Sequence, residues 1–343
     1  MKKTGSVYSA AGVDIDAKMN ALKNAKKLIQ STLTAGAVKT WGGFGGLFQA
    51  PGADTLLVSS MDGVGTKLKV ATMMNRHDTV GQDIVNHCVN DILVQGATPL
   101  FFLDYIGVSN MDPGMIAQIL KGLARACKQN GCSLIGGETA ELPGLYPPGE
   151  YDLVGTIVGA VKKRDVITGA TIRPGDVLIG LPSSGCHTNG YTLARHALLE
   201  KAGLGVNDYL PGTKTTVGAA LLAVHRSYLK PVTALMKTVA IRGMAHITGG
   251  GFPDNIKRVL PATVDAEVDT AAWTPPVLFR FIQQAASVER EEMYRVFNMG
   301  IGMVIAVRAA DAPSALAALK KAGERPRLIG RITRGRGSVT LMY

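Results

Sequence analysis

Between Ser59 and Lys69 the text SSMDGVGTKLK sets an acid, two alternate glycines, a threonine and a lysine at the end of an apolar run. Asp62 at a strand end can hold Mg²⁺ through oxygen, and Lys67 can offset charge building on a transferring phosphoryl group. Gly63, Gly65 and Thr66 lie between them, where backbone N–H groups can approach an anion closely because glycine has no Cβ in the way. The competing reading is a tight turn followed by a surface lysine.

Further along, Asp83, His87 and Asp91 recur every four residues, with Asn86 and Asn90 beside them. On a helix they share one polar face, which either meets solvent or lines a site; periodicity alone favours solvent. Asp62 with Asp91 would suffice to hold Mg²⁺ if the fold brings them together, since this ion takes few protein carboxylates and keeps several waters. GGETAELPG places Glu138 and Glu141 after a short strand, where a carboxylate could bind metal, accept a ligand hydroxyl or act as general base; the alternative is a capping loop with exposed acids. SSGCHTNG offers Ser184, His187 and Asn189 in a loop that opens a helix, a geometry suited to phosphate, although a lone histidine is more often structural. AHITGGGFPDN brings His246, Thr248, Gly249, Gly250 and Gly251 ahead of another helix as a second anion pocket. Gly42, Gly43, Gly45 and Gly46 form a further glycine-rich loop. No P-loop text exists, Phe48 prevents the glycine loop from completing a dinucleotide fingerprint, and Ser183 and Ser184 miss the hydrolase elbow.

These residues need strands and helices to aim them. Apolar runs at Asp54 to Ser60, Leu100 to Val108, Ser133 to Ile135 and Asp152 to Val161 predict strands. Thr79 to Gln95 carries an apolar helical stripe stopped by Gly96, and a second helix runs from an Asp112 cap and Pro113 to Gly131. The turn-rich TGATIRPGD, Thr168 to Asp176, marks a boundary between domains 1–170 and 171–343. Beyond it the pattern predicts helices near Tyr191 to Ala202, Lys214 to Lys237, Pro253 to Val259, Pro275 to Ser287 and Ala312 to Ala322. Strands are predicted near Val177 to Leu181, Thr263 to Val268, Ile301 to Val307, Arg327 to Ile332 and Ser338 to Met342. The fold class is α/β with an α+β character, in two domains.

The chain has 343 residues, enough for two cores. Its 4 cysteines include no two-residue-spaced pair and read as buried thiols, which suits a reducing cytoplasm. No run of about 18 apolar residues supports a membrane span or a secretion signal. The net charge of +11 is scattered and lacks interleaved aromatics, so it argues for anionic small molecules over nucleic acid.

YSAAGVDID, GGFGG, DGVGTKLK, RHDTVGQDIVNHCVNDILVQGATPLFFLDYI, GCSLIGGETAELPG, SSGCHTNGY, HITGGGFPDNI and EMYRVFNMGIGM follow one another in an order and spacing that resembles the AIR synthetase family. The resemblance runs from Tyr8 to about Met303. It implies ATP-dependent ring closure of formylglycinamidine ribonucleotide to aminoimidazole ribonucleotide, with release of ADP and phosphate. It also implies a homodimer whose N-terminal sheets join into a barrel, each packed on a C-terminal α/β domain. Carried onto this chain, it makes Asp62 and Asp91 the acids near Mg²⁺, Lys67 the lysine near the polyphosphate, and Gly42, Gly43, Gly45 and Gly46 the mobile segment over ATP. Gly63, Gly65 and Thr66 complete that ATP side. Glu138 and Glu141 fall in a cleft loop with roles unassigned, Glu138 being a candidate catalytic residue. Ser184, His187, Asn189, His246, Thr248, Gly249, Gly250 and Gly251 surround the nucleotide substrate, His187 with a catalytic role. On these grounds Asp62→Asn and Lys67→Ala are expected to depress turnover far more than stability.

Overall fold

The computed structural model describes residues 37–38, 46–50 and 54–343; Gly42, Gly43 and Gly45 lie outside them. The first sheet contains β1 (Ala37–Val38), β2 (Gly46–Gln49), β3 (Thr55–Gly63), β4 (Thr98–Val108), β5 (Ser133–Glu141) and β6 (Tyr151–Lys162), in the order β1-β2-β3-β6-β4-β5. All its neighbours are antiparallel except β4 and β5. The second sheet has the order β12-β9-β11-β7-β10-β8, from β7 (Val177–Pro182), β8 (Gly243–His246), β9 (Val264–Asp269), β10 (Ile301–Val307), β11 (Arg327–Arg334) and β12 (Val339–Met342).

One face of the first sheet is covered by helices. Along β6 the odd-numbered residues from Tyr151 to Val161 are buried, while the alternate residues are half-buried on the other face. The covering layer is α1 (Lys67–Met73), α2 (Asp78–Leu93) and α3 (Pro113–Asn130). α3 begins where Asp112 accepts hydrogen bonds from the Gly114 and Met115 N–H groups and ends on Gly131 in the left-handed conformation. α2 and α3 approach so closely that a Cβ on Gly81 would lie 2.3 Å from the Ile119 carbonyl oxygen. A Cβ on Gly122 would lie 2.2 Å from that of Asp78, so both positions require glycine.

The remaining helices are α4 (Tyr191–Arg195), α5 (Val217–Leu221), α6 (Leu229–Met236), α7 (Gly251–Lys257), α8 (Val277–Ala285), α9 (Arg290–Val296) and α10 (Ala312–Lys321). α4 continues through a wider π turn, His196–Lys201, into the span predicted as one helix to Ala202. The single helix expected over Lys214 to Lys237 is instead α5 and α6 with an irregular segment between them. Pro231 explains the break, because proline is accommodated in the first turn of a helix and disrupts its interior. β5 extends six residues beyond the predicted Ile135, so Glu138 and Glu141 stand in an edge strand and not in a loop. β8, α1 and α9 were not given bounds by the sequence pattern. All four cysteines are buried and unpaired.

Candidate active site

Every residue of α2 from Thr79 to Leu93 is buried, which overturns the expectation that its polar face meets solvent. Burial of five polar side chains on one face requires partners for each, and for Asp83, Asn86 and Asn90 the segment between α5 and α6 supplies them. Asp83 Oδ1 accepts from the His225 N–H at 2.6 Å, and Asn86 Nδ2 donates to the His225 carbonyl at 2.7 Å. Asn90 Nδ2 donates to the Arg226 carbonyl at 2.8 Å, while its Oδ1 accepts from the Tyr228 N–H at 2.9 Å. The polar face is therefore the seam between the two halves of the chain.

Lys67, in the first turn of α1, belongs to the same seam. Its ammonium lies 2.7 Å from Asp83 Oδ2, with both side chains fully buried. It also donates to the carbonyls of His187 at 3.0 Å and Ala223 at 2.8 Å. An ammonium has three N–H groups, and all three are engaged. In this arrangement the Lys67 ammonium is turned into the seam and ties together the loops that carry His187 and Ala223.

Asp62 and Asp91 do come together, through a histidine. Ser60 and Asp62 project from β3 toward α2, where Ser60 Oγ donates to Asp91 Oδ2 at 3.0 Å. His87 Nε2 lies 2.9 Å from Asp62 Oδ2 and 3.7 Å from Asp91 Oδ2. Burial alone would lower the His87 pKa, but Asp62 and then Asp91 outweigh it and push it up to about 9. The two acids thus favour the charged form of the imidazole that lies between them. Asp62 remains 45% exposed, so its carboxylate is reachable from solvent, whereas Asp91 is buried. Oxygen donors with open positions fit Mg²⁺.

Asp91 Oδ1 accepts from His246 Nδ1 at 2.8 Å. Beyond His246 stand His225 and His187, the latter two with stacked rings 4.0 Å apart. His225 escaped the sequence reading because it lies inside the helix predicted over Lys214 to Lys237; Pro231 was the signal that this helix breaks. Burial, then the neighbouring cationic groups, hold the pKa values of His187 and His225 well below the usual histidine range. His187 has a left-handed backbone, φ 60°, a conformation that costs about 1–3 kcal/mol outside glycine.

The loops predicted to surround the substrate meet at this end of the seam. A Cβ on Gly249 would lie 3.1 Å from Asn189 Oδ1. Ser184 Oγ donates to the Val224 carbonyl at 2.5 Å. Asn255 braces the glycine loop, its Nδ2 donating to the Gly251 carbonyl at 2.7 Å and to those of Thr248 and Gly249 at 3.3 Å. Gly250 and Gly251 both have positive φ as they lead into α7. At the other end, Gly65 and Thr66 border a recess of about 240 Å³ together with Tyr146, Tyr151 and the paired Lys69 and Glu150. Thr66 and Thr192 share a hydrogen bond of 3.0 Å across the two halves.

Glu138 and Glu141 are not brought to this centre. In sheet register Gly63 aligns with Val154, Val154 with Tyr105 and Tyr105 with Glu138, a separation of three strand spacings, or about 14 Å. Glu141 instead accepts from the Met111 N–H at 2.7 Å. Gly46 pairs with Ser59 within the sheet.

Sequence profiles for the N-terminal and C-terminal domains of AIR synthase related proteins match residues 45–161 and 173–342. Over 335 residues, 97% of this chain and 96% of the relative, the sequence is 49% identical to the phosphoribosylformylglycinamidine cyclo-ligase of Trichlorobacter lovleyi. The chain belongs to the phosphoribosylformylglycinamidine cyclo-ligase family. The enzyme of that name from Bacillus pumilus is 48% identical over 96% of each chain. Among solved structures, thiamine-monophosphate kinase from Stenotrophomonas maltophilia superposes with a TM-score of 0.64 at 17% identity, covering 94% of this chain and 95% of that one. The HypE–HypF complex gives 0.67 at 17% identity with the same coverage. These likenesses show that the two-sheet fold is shared with those proteins.

Proposed function

We propose that the chain closes the imidazole ring of a purine precursor, converting formylglycinamidine ribonucleotide and ATP to aminoimidazole ribonucleotide, ADP and phosphate. The observation that carries this is the 49% identity to a cyclo-ligase across 97% of the chain. An amide carbonyl resists attack by a neighbouring nitrogen, because resonance and a poor leaving group oppose it. In this reading the formyl oxygen takes the γ-phosphoryl group of ATP, the amidine nitrogen closes on the activated carbon, and phosphate departs. The protein contributes positioning and charge stabilisation.

Asp62 and Asp91 would hold Mg²⁺, which on binding would neutralise part of the polyphosphate charge. Gly63, Gly65 and Thr66 form the turn beside them. Ser184, Asn189, Thr248 and Gly249 to Gly251, which lie on converging loops, would orient the nucleotide substrate. Domains 1–170 and 171–343 would then meet at the reaction centre. The open face of the first sheet supports a homodimer: Met61, Thr156 and Leu103 lie in one row across three strands, with Met61 69% exposed and Leu103 36%. Among the described residues no helix is long and apolar enough to cross a membrane. Four unpaired thiols accord with a cytoplasmic enzyme.

With purified protein and Mg²⁺, ADP and free phosphate are expected only when formylglycinamidine ribonucleotide is present. ADP formation indifferent to that nucleotide would sink the proposal. Transfer of the γ-phosphate to an organic ester would instead make the chain a small-molecule kinase, the activity named for one of its fold relatives.

A further inference from the structure

We propose that Cys127 and Cys132 form a reversible thiol–disulfide site, oxidised by a low-molecular-weight disulfide, whose closure loosens the seam between the two halves of the chain. The pair stands at the C-terminal end of α3, where the chain turns back into β5. The Cys132 N–H donates to the Cys127 carbonyl at 3.1 Å, and the Gly131 N–H to that of Lys128 at 3.4 Å. With Gly131 in the left-handed conformation, these two bonds fold the residue after the glycine back over the last turn of the helix. Such a turn commonly seats an apolar contact between its first and last positions. Here both of those positions carry thiols.

The thiols are in contact. The Cys132 thiol donates to the Cys127 carbonyl oxygen 3.7 Å away, and the Cys127 thiol donates to the Cys132 sulfur. The bond between the thiols favours a thiolate on Cys132 and keeps the proton on Cys127, so the Cys132 pKa falls below the ordinary thiol value and that of Cys127 rises above it. Cys132 is also the more exposed, at 8% against 2%, and its neighbours Gly131 and Ser133 face solvent. Fraying of the helix end therefore presents Cys132 first.

The Cys132 thiolate attacks one sulfur of the small disulfide, forming a mixed disulfide and releasing one small thiol. Cys127, losing its proton, then bonds to the Cys132 sulfur and expels the second small thiol. The two electrons and two protons given up by the cysteines end on the two released thiols. Disulfides of this kind in a reducing compartment are ordinarily transient and redox-sensing.

Asn130 lies between the two cysteines and links them to the seam. Its Nδ2 donates to Asn86 Oδ1 at 2.8 Å, and its Oδ1 accepts from Ser227 Oγ at 2.6 Å. Asn86 in turn holds the His225 carbonyl. Drawing the two sulfurs from contact to a bond of about 2.05 Å tightens the turn and shifts Asn130 against both partners.

Full-length protein incubated with glutathione disulfide should lose the mass of two hydrogen atoms per chain, and dithiothreitol should restore it. Trypsin cleaves after Lys128, so in nonreduced digests the linkage joins the peptide Ala126–Lys128 to Gln129–Lys162. Cys127→Ala should retain one glutathione on Cys132, because no thiol is left to displace it, and Cys132→Ala should retain none on Cys127. In the oxidised parent the His225 and Tyr228 amides, held by Asp83 and Asn90, should exchange their hydrogens at least about twofold faster than in the reduced protein. None of these readouts depends on the ring-closing activity, and the parent digest and exchange need no variant to fold. No linked peptide, a lasting glutathione adduct on the parent, linkage through Cys88 or Cys186 instead, or unchanged exchange at the two amides would overturn the proposal.

Discussion

The ammonium of Lys67 and the carboxylate of Asp83 meet at 2.7 Å with no exposure to solvent. Burial pushes the Asp83 pKa up, while Lys67 and the His225 N–H hold it back. Removing one partner from such a pair leaves an uncompensated charge in the interior, at a cost of about 3–5 kcal/mol. Lys67→Ala should therefore lower the urea midpoint as well as turnover, against the expectation that turnover would suffer far more than stability. A variant with wild-type stability would show that the pair does not hold the seam.

Asp62 behaves differently because its carboxylate is partly exposed, although it pairs with the buried His87. Asp62→Asn should lower kcat by at least about tenfold and raise the Mg²⁺ concentration needed for half activity, while the thermal midpoint stays near that of the parent protein. Unchanged Mg²⁺ dependence would remove Asp62 from the metal site.

The pH dependence of stability has a definite sign at His77. Burial holds its pKa below the ordinary 6.5, although Asp112 and Asp78 pull the other way. Below pH 6.5 the unfolded chain binds a proton here that the folded chain resists, so stability present above that pH is lost as pH falls toward the folded value. His77→Gln removes this contribution and can still pair with the Tyr151 hydroxyl, which lies 2.8 Å from His77 Nδ1. Melting temperatures taken from pH 7.5 to 5 should fall less steeply for the variant than for the parent. Equal slopes would refute the assignment.

Met61→Asp places a charge in the apolar row of the open sheet face. It should shift the sedimentation coefficient from that of a dimer to that of a monomer at micromolar concentration, with the far-UV spectrum retained. A parent protein already monomeric under those conditions would refute dimerisation through this face.

Local signals in the sequence were legible where one short segment determined the outcome. Asp112, Pro113 and Gly131 bound α3 as their backbone preferences require, and the apolar runs of β4, β6 and β10 predicted strands at nearly their observed bounds. The polar face of α2 was misread because the backbone groups that Asp83, Asn86 and Asn90 bind lie more than 130 residues away, and periodicity carries no record of what packs against a face. The surroundings of Lys67 were hidden for the same reason: nothing in SSMDGVGTKLK announces Asp83 or Ala223 as its neighbours. Asp62 and Asp91, paired in the sequence reading, each lie beside His87, yet the place of that histidine between them, and of His225 beyond it, became visible only in three dimensions.

Asp83, Asn86 and Asn90 direct their polar atoms into backbone groups from the far side of the chain, so neither half can be cut away without stranding those groups. A truncated first half would leave a row of amides and a carboxylate facing outward from an otherwise oily helix, and the second half would lose the template that shapes residues 223–228. The two sheets, though separately hydrogen-bonded, are consequently obliged to melt together, as one calorimetric event.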